Sequence, residues 1–292
     1  MAAGAAVLFS SCVRDGEELC GSYVRFVYDY NMEREDLFGL QASKIDLFLF
    51  DAAGSYIGKV SDERSAGTFP QGYRMRLPEG LPQAVQFVAW LGLYEDQCEA
   101  ASLTPGVSTI DDLNVSLKVR PENRWNTELK PVWYGKPLAG QSPAIQYANE
   151  VTVISLVKDT KTFRLLLKPA ADGAAADVND YRFVIESRNG SYDSGNNPAD
   201  DVLWHYEPFY TANGEAGIVA HLNTLRLFKD RENRLVITHK PSGTPVVEMD
   251  LNAYINTLRL EHHSGITDLQ EYMDRESDHD WIIYRAGNAA NR

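Results

Sequence analysis

The 292-residue sequence has no apolar run near the roughly 18 residues that a membrane-spanning helix requires. Its backbone is therefore not read as crossing a bilayer. Basic residues are scarce, with 28 Lys and Arg against 41 Asp and Glu, for a formal charge of −13. A surface of that sign repels phosphate backbones, so no general nucleic-acid partner is expected. Cysteine is limited to three residues with no Cys-x-x-Cys pair, which removes zinc-ribbon and thioredoxin-type sites. The sequence also lacks a Gly-Lys-Ser/Thr phosphate loop, a Gly-x-Ser-x-Gly elbow and a His-Glu-x-x-His helix. With 41 carboxylates, no two stand out as a glycosidase pair. The chain is read as a non-enzyme without cofactor or metal. Tandem repeats and low-complexity arrays are missing, and helical periodicity is thin.

What is present is an ordinary globular composition, 44% hydrophobic and 24% charged, which excludes disorder as a whole-chain description. Period-two alternation recurs along the chain. Val24, Phe26 and Tyr28 form one such set, and Ile45, Leu47 and Leu49 another. Val85, Phe87 and Ala89 follow, then Val151 and Val153, Phe163, Leu165 and Leu167, Tyr181, Phe183 and Ile185, and Leu235 with Ile237. Short alternating runs separated by Gly, Pro, Asn and Asp predict half-buried strands, hence an all-β fold of sandwiches. Gly54 and Gly190 supply turn chemistry through their tolerance of positive φ. Short helices are predicted at 108–113 and 250–258, each beginning near a plausible cap. Two Gly, two Pro and a Ser interrupt the pattern between Tyr134 and Pro143, which marks the expected domain boundary.

The first residues bear on the compartment. An apolar stretch from Ala2 to Phe9, then Ser10, Ser11 and Cys12, looks like the end of a bacterial lipoprotein signal peptide. On that reading Cys12 becomes the new N-terminus and carries the lipid. Phe9 stands where Leu, Val or Ala is usual, and no Lys or Arg precedes the apolar stretch. The native start is therefore expected upstream. The alternative is a frayed apolar N-terminus with an incidental cysteine. If Cys12 is acylated, Cys20 and Cys98 remain to form one disulfide or stay two free thiols. Asp15, Glu17 and Glu18 resemble a short surface-export signal.

Other candidate chemistry is weak. His262 and His263 are adjacent, so in a strand their rings face opposite sides and do not share a metal. Asp274, Glu276, Asp278 and Asp280 alternate and would line one face if extended, but His279 stands where a calcium loop needs Gly. The segment from Asp193 to Asn197 reads as a turn. Asn114 and Asn189 begin N-glycosylation sequons, which carry little weight in a bacterial lipoprotein.

A family resemblance joins these pieces. Val24-Arg-Phe-Val-Tyr-Asp-Tyr-Asn-Met32 follows two N-terminal cysteines and leads to Ile45-Asp-Leu-Phe-Leu-Phe-Asp51, Gly54 and Tyr56. This opening closely resembles the FimB/Mfa-type fimbrial anchor subunits of Bacteroides-type (type V) fimbriae. The likeness continues through Phe87-Val-Ala-Trp90, Val132-Trp-Tyr-Gly135 and Asn189-Gly-Ser-Tyr-Asp193 with Asn197, Tyr206 and Pro208. It extends to Thr224-Leu-Arg-Leu227, Leu235-Val-Ile237 and Gln270-Glu-Tyr-Met-Asp-Arg275.

The resemblance implies two tandem transthyretin-like β-sandwich domains, here 23–138 and 145–292, after a signal-peptide remnant (1–11) and a lipidated linker (12–22). It implies an outer-membrane, surface-exposed lipoprotein, acylated at Cys12, that tethers a fimbrial shaft subunit and limits or nucleates shaft assembly. Family members usually continue into a final strand, whereas this sequence stops at Arg292. Either the end is clipped, or a sandwich edge is open to a strand from the first shaft subunit. A fimbrial tip adhesin and a glycan-binding surface lipoprotein are the alternatives. Exposed Trp125, Trp133 and Trp204 in a row would favour glycan binding, burial would favour the anchor, and lipidation separates anchor from tip.

Overall fold

The computed structural model describes residues 21–82, 84–137, 151–169 and 177–285, with 279–285 traced by their backbone. The first half contains β1 (Tyr23–Val27), α1 (Phe38–Gln41), β2 (Lys44–Asp51), β3 (Tyr56–Glu63), β4 (Arg74–Arg76) and β5 (Val85–Leu91). Then come β6 (Cys98–Ala100), β7 (Val115–Leu117), β8 (Arg124–Trp125) and β9 (Trp133–Pro137). The second half has β10 (Val151–Lys158), β11 (Lys161–Lys168), β12 (Tyr181–Ser187), β13 (Ser191–Tyr192), β14 (Trp204–Tyr206), β15 (Tyr210–Gly214) and β16 (Gly217–Thr224). It closes with β17 (Asn233–His239), β18 (Thr244–Asp250), α2 (Leu251–His262), α3 (Leu269–Arg275) and β19 (Asp278–Arg285). The fold is all-β with three short helices among the described residues, as the alternation predicts.

The strands form a seven-stranded sheet ordered β3-β2-β5-β9-β10-β1-β4, and a five-stranded sheet ordered β18-β17-β12-β14-β8. A four-stranded sheet, β15-β16-β11-β19, and a three-stranded one, β13-β7-β6, complete the set. Strand pairing does not follow the expected division at 138–145. Val151–Lys158 lies inside the first sheet, antiparallel to β9 and parallel to β1. The Gly/Pro-rich stretch therefore joins neighbouring strands of one sheet. In return, β8 from the first half pairs with β14, and β7 pairs with β13. Alternation records which residues of a strand face a core, and it carries no record of which sheet supplies that core.

The seven-stranded sheet separates two cores. Val24, Phe26, Ile45, Leu47, Phe87, Leu91 and Ile154 face one, which is closed from loops and α1 by Phe38 and Phe69. Phe38 stacks on Phe26 and Phe69 with ring centroids 5.9 and 5.8 Å apart. Phe48, Phe50, Val88 and Trp90 face the other core, which runs on without a break into Phe163, Phe183, Tyr192 and Ile237 of the second half. Trp90 is the hinge of that continuity, with its ring 5.2 Å from Tyr134 and 5.8 Å from Tyr192. Burial on both faces explains why β2 and β5 read as nearly continuous apolar runs.

Both predicted helices form. The Asp112 carboxylate accepts from the Thr109 N–H at 2.7 Å and caps a single 3₁₀ turn at Ile110–Asp112. Asp250 accepts from the Asn252 and Ala253 N–H groups and starts α2, which runs on to His262. Gly190 is needed for a different reason from the one expected. It does not have positive φ, but a Cβ there would sit 2.0 Å from the Trp204 indole nitrogen. Gly92 meets both conditions, with φ of 76° and a Cβ position 2.0 Å from the Pro131 carbonyl oxygen. Gly92→Ala is expected to lower unfolding free energy in denaturant by on the order of 3 kcal/mol. An unchanged midpoint would mean that the 92–131 approach is not tight.

Candidate functional site

The chain passes between sheets through two residues. After β10 ends, the Asp159 N–H donates to the Val132 carbonyl at 2.8 Å, and Thr160 Oγ1 accepts from the Val132 N–H at 2.9 Å. β11 then begins at Lys161 in the four-stranded sheet. Asp159 and Lys161 are both fully buried, an arrangement that is costly for charged groups unless each finds partners.

The partners come from distant segments. Asp159 accepts from the Asn196 amide at 3.0 Å. Lys161 Nζ donates to the carbonyls of Asp274 and Glu276, at 3.0 and 3.1 Å. Arg226 grips the Asp274 carboxylate at both ends, at 2.6 and 2.7 Å, and donates to the Asn196 carbonyl at 2.7 Å. Gln270 adds a bond to Asp274 from within α3. The cluster thus ties together the crossover, the 193–197 turn, the end of β16 and α3. Burial raises the pKa of Asp159, and Arg226, Asn196 and Lys161 only partly oppose it. Burial lowers that of Lys161, opposed by Asp274 and Asp159.

Cys12 and Cys20 lie outside the described residues. Cys98, in β6, is a free, buried thiol whose pKa burial pushes up to about 12. Trp125, Trp133 and Trp204 are each 3% exposed or less and form no platform. Asp274 does not alternate with its neighbours in an extended run, because it sits in α3 and is buried against Arg226. The described residues hold no group of three or more His, Cys, Asp or Glu placed for a metal ion. His262 ends α2 rather than a strand, and the His263 ring packs 5.4 Å from Tyr272. Asp193 nucleates the expected turn by accepting from the Gly195 and Asn197 N–H groups. Sequence reasoning missed Arg226, Lys161 and Asp159. Their only signal was a Lys-Asp-Thr-Lys break between two apolar strands.

The sheet edges differ in how open they are. β4 is three residues long, β15 is largely exposed and polar, and β18 carries Pro245 beside a register shift in β17. Those features blunt edge-to-edge pairing. Among the described residues β19 is the last strand of its sheet, running parallel to β11 through six residue pairs with a register shift after Phe163.

The family model for Fimbrillin-A associated anchor proteins Mfa1 and Mfa2 matches residues 17–291. The chain belongs to this anchor-protein family. Among solved structures it is 34% identical to a candidate polysaccharide-binding protein (DUF1812) of Bacteroides thetaiotaomicron, covering 90% of each chain at a TM-score of 0.80. A candidate adhesin of Bacteroides ovatus is 25% identical, with 92% and 90% covered and a TM-score of 0.78. The fimbrial anchor protein Mfa2 of Porphyromonas gingivalis shares the fold at 20% identity, with 88% and 87% covered and a TM-score of 0.69. No curated protein matches the chain. As a member of the anchor-protein family this is a fimbria-associated protein, and no helix among its described residues is long and apolar enough to cross a membrane.

Two tests address the crossover in this family member. Arg226→Met alone is expected to cost about 3–5 kcal/mol in denaturant unfolding, because it strands a buried carboxylate. Arg226→Met with Asp274→Leu should recover most of that loss, and equal losses for single and double variants would show that the pair is not coupled. The second test uses pH. Because burial raises the folded-state pKa of Asp159, its contribution is fully present below the ordinary carboxylate range and is lost as pH rises through the raised value. Compared with Asp159→Asn, the parent's stability advantage should shrink by on the order of 2 kcal/mol between about pH 5 and pH 8. A pH-independent difference between the two would contradict this assignment.

Proposed function

We propose that this protein is a surface-exposed outer-membrane lipoprotein, acylated at Cys12, that tethers a fimbrial shaft subunit to the cell. The family match across 17–291 carries this reading, and the fold supplies a mechanical rationale for it. Ten residues, 13–22, separate Cys12 from β1, a leash of at most about 35 Å when extended. Load from the lipid therefore enters at β1. That strand is an interior one, paired along all five residues with β10 and along three with β4. Pulling along it shears these bonds together rather than peeling them one at a time. The next strand after β10 is β11, reached through the buried charge cluster, so the load continues into the second half.

The shaft subunit would add a strand at the side of β19 that no described strand occupies, where main-chain groups supply affinity and side-chain pockets supply register. The glycan-binding alternative based on an aromatic platform loses its basis with the burial of Trp125, Trp133 and Trp204. A tip adhesin differs in its fate, since a subunit carried to the tip does not stay acylated.

The deciding experiment expresses the full-length protein, with its complete native signal peptide, in a fimbriated host. Tagged protein pulled from detergent-solubilised outer membranes should bring down shaft subunits and incorporate a clickable palmitate analogue. Cys12→Ser should lose the label and appear in the medium. An unlabelled protein that still travels with fimbriae would move the assignment to the tip, and a labelled one free of fimbrial subunits would remove the anchor role.

A further inference from the structure

A cleft of about 340 Å³ opens where the end of β8 meets the start of β12. In a chain of formal charge −13, its walls carry three cations, Arg124, Arg182 and Lys240, and one carboxylate, Glu207. Glu207 is 12% exposed and neutralises one charge. Arg124 Nη2 lies 2.9 and 2.8 Å from its two oxygens, and Arg182 donates to Oε1 from Nε at 2.9 Å and from Nη2 at 2.6 Å. Burial raises the pKa of Glu207, but the hydrogen bonds from Arg124 and Arg182 outweigh it and hold the carboxyl below its ordinary range. The ammonium of Lys240 reaches only the Asn179 carbonyl, at 2.9 Å, and pairs with no carboxylate among the described residues. Arg124 also donates from Nη1 to Glu122 at the rim, at 3.3 Å, so the three cations and two carboxylates leave a surplus of one positive charge, on the Lys240 side. Both guanidiniums are more than 40% exposed, so spare N–H groups face solvent.

The shape limits what neutralises that surplus. β8 is a two-residue edge strand, so no row of backbone groups is available to an extended peptide. A long polyanion is repelled by the net charge of the rest of the molecule. A compact ligand with one carboxylate and many hydroxyls meets neither obstacle. The remaining wall suits it, with the Asn126 amide and the half-buried Tyr181, whose ring is held against His239 at 5.3 Å. The volume is that of a small-ligand site, large enough for one or two sugar rings. We propose that this cleft binds a glycan end carrying a single carboxylated sugar, with Arg182 and Lys240 receiving the carboxylate beside Glu207. The proposal goes beyond the tethering role and does not depend on it.

The test is titration calorimetry of the full chain with 3′-sialyllactose and with lactose, which lacks the acidic sugar. Sialyllactose should bind, more weakly as salt is raised, and lactose should not. Lys240→Gln, at an exposed position that leaves the fold intact, should weaken binding by about tenfold. Glu207→Gln removes the internal competitor for both guanidiniums and should tighten binding several-fold, an effect that a purely structural role for Glu207 does not produce. Equal binding of lactose would overturn the proposal, as would no heat up to about 10 mM ligand. Indifference to both substitutions would do the same. Tighter binding of a tri-glutamate peptide would assign the cleft to an acidic protein segment instead.

Discussion

Two residues, Asp159 and Thr160, carry the chain from the seven-stranded sheet to the four-stranded one, and the buried cluster around them fixes how the two halves meet. Taking Asp159, Lys161, Arg226 and Asp274 out of water costs several kcal/mol for each ion before any contact is counted. The bidentate Arg226–Asp274 pair and the bonds from Asn196, Gln270 and Lys161 offset that cost only when all are in register. Such a cluster contributes little net stability compared with an apolar plug of the same volume. What it provides is geometry, because the bidentate Arg226–Asp274 pair and the two Lys161 bonds form only when crossover, turn and α3 are in this arrangement. They do so even though Asp159 Oδ2 and Asn196 Oδ1 are left without a partner among the described residues.

That geometry matters because tandem domains ordinarily move against one another unless their interface is large and apolar. Here the apolar core that begins under Trp90 is shared by both halves, through Tyr134, Tyr192 and Phe228. Strand pairings cross the same boundary at β8·β14 and β7·β13. A load applied at one end therefore finds no soft linker to extend among these elements. Packing supplies the stiffness, and the charged cluster selects the orientation in which that packing is available.

The sequence made some of this legible and hid the rest for identifiable reasons. Alternation located the strands because a half-buried strand must place every second side chain inside, as Phe163, Leu165 and Leu167 do in β11. Asp250 announced α2 because a cap acts within its own turn. The sheet to which Val151–Lys158 belongs was not legible, because its partners are Tyr23–Val27 and Trp133–Pro137, and neither pairing leaves a mark in the local pattern. The same holds for the polar sites. Asp274 looked like one of a row of acidic residues until Arg226, 48 positions away, explained it. Arg124 and Glu207 are 83 positions apart, and the charge surplus of their cleft vanishes in a chain-wide total of −13.

Energetics at the membrane end assign the remaining burden. On the anchor reading, each buried CH₂ of the lipid is worth about 0.8 kcal/mol, so three acyl chains hold by well over 20 kcal/mol. A folded domain is stable by only about 5–15 kcal/mol. Under sustained pull the weak link is therefore the fold, and resistance depends on how many hydrogen bonds must break at once. A lipidated strand at a sheet edge, pulled along its axis, would have only one row of pairings to strain. β1 is enclosed by β10 and β4, so displacing it along its axis strains pairings on both sides together and exposes Val24 and Phe26 from the core in the same step. On the anchor reading, the position of β1 inside the sheet, between β10 and β4, is what would let a short leash bear load.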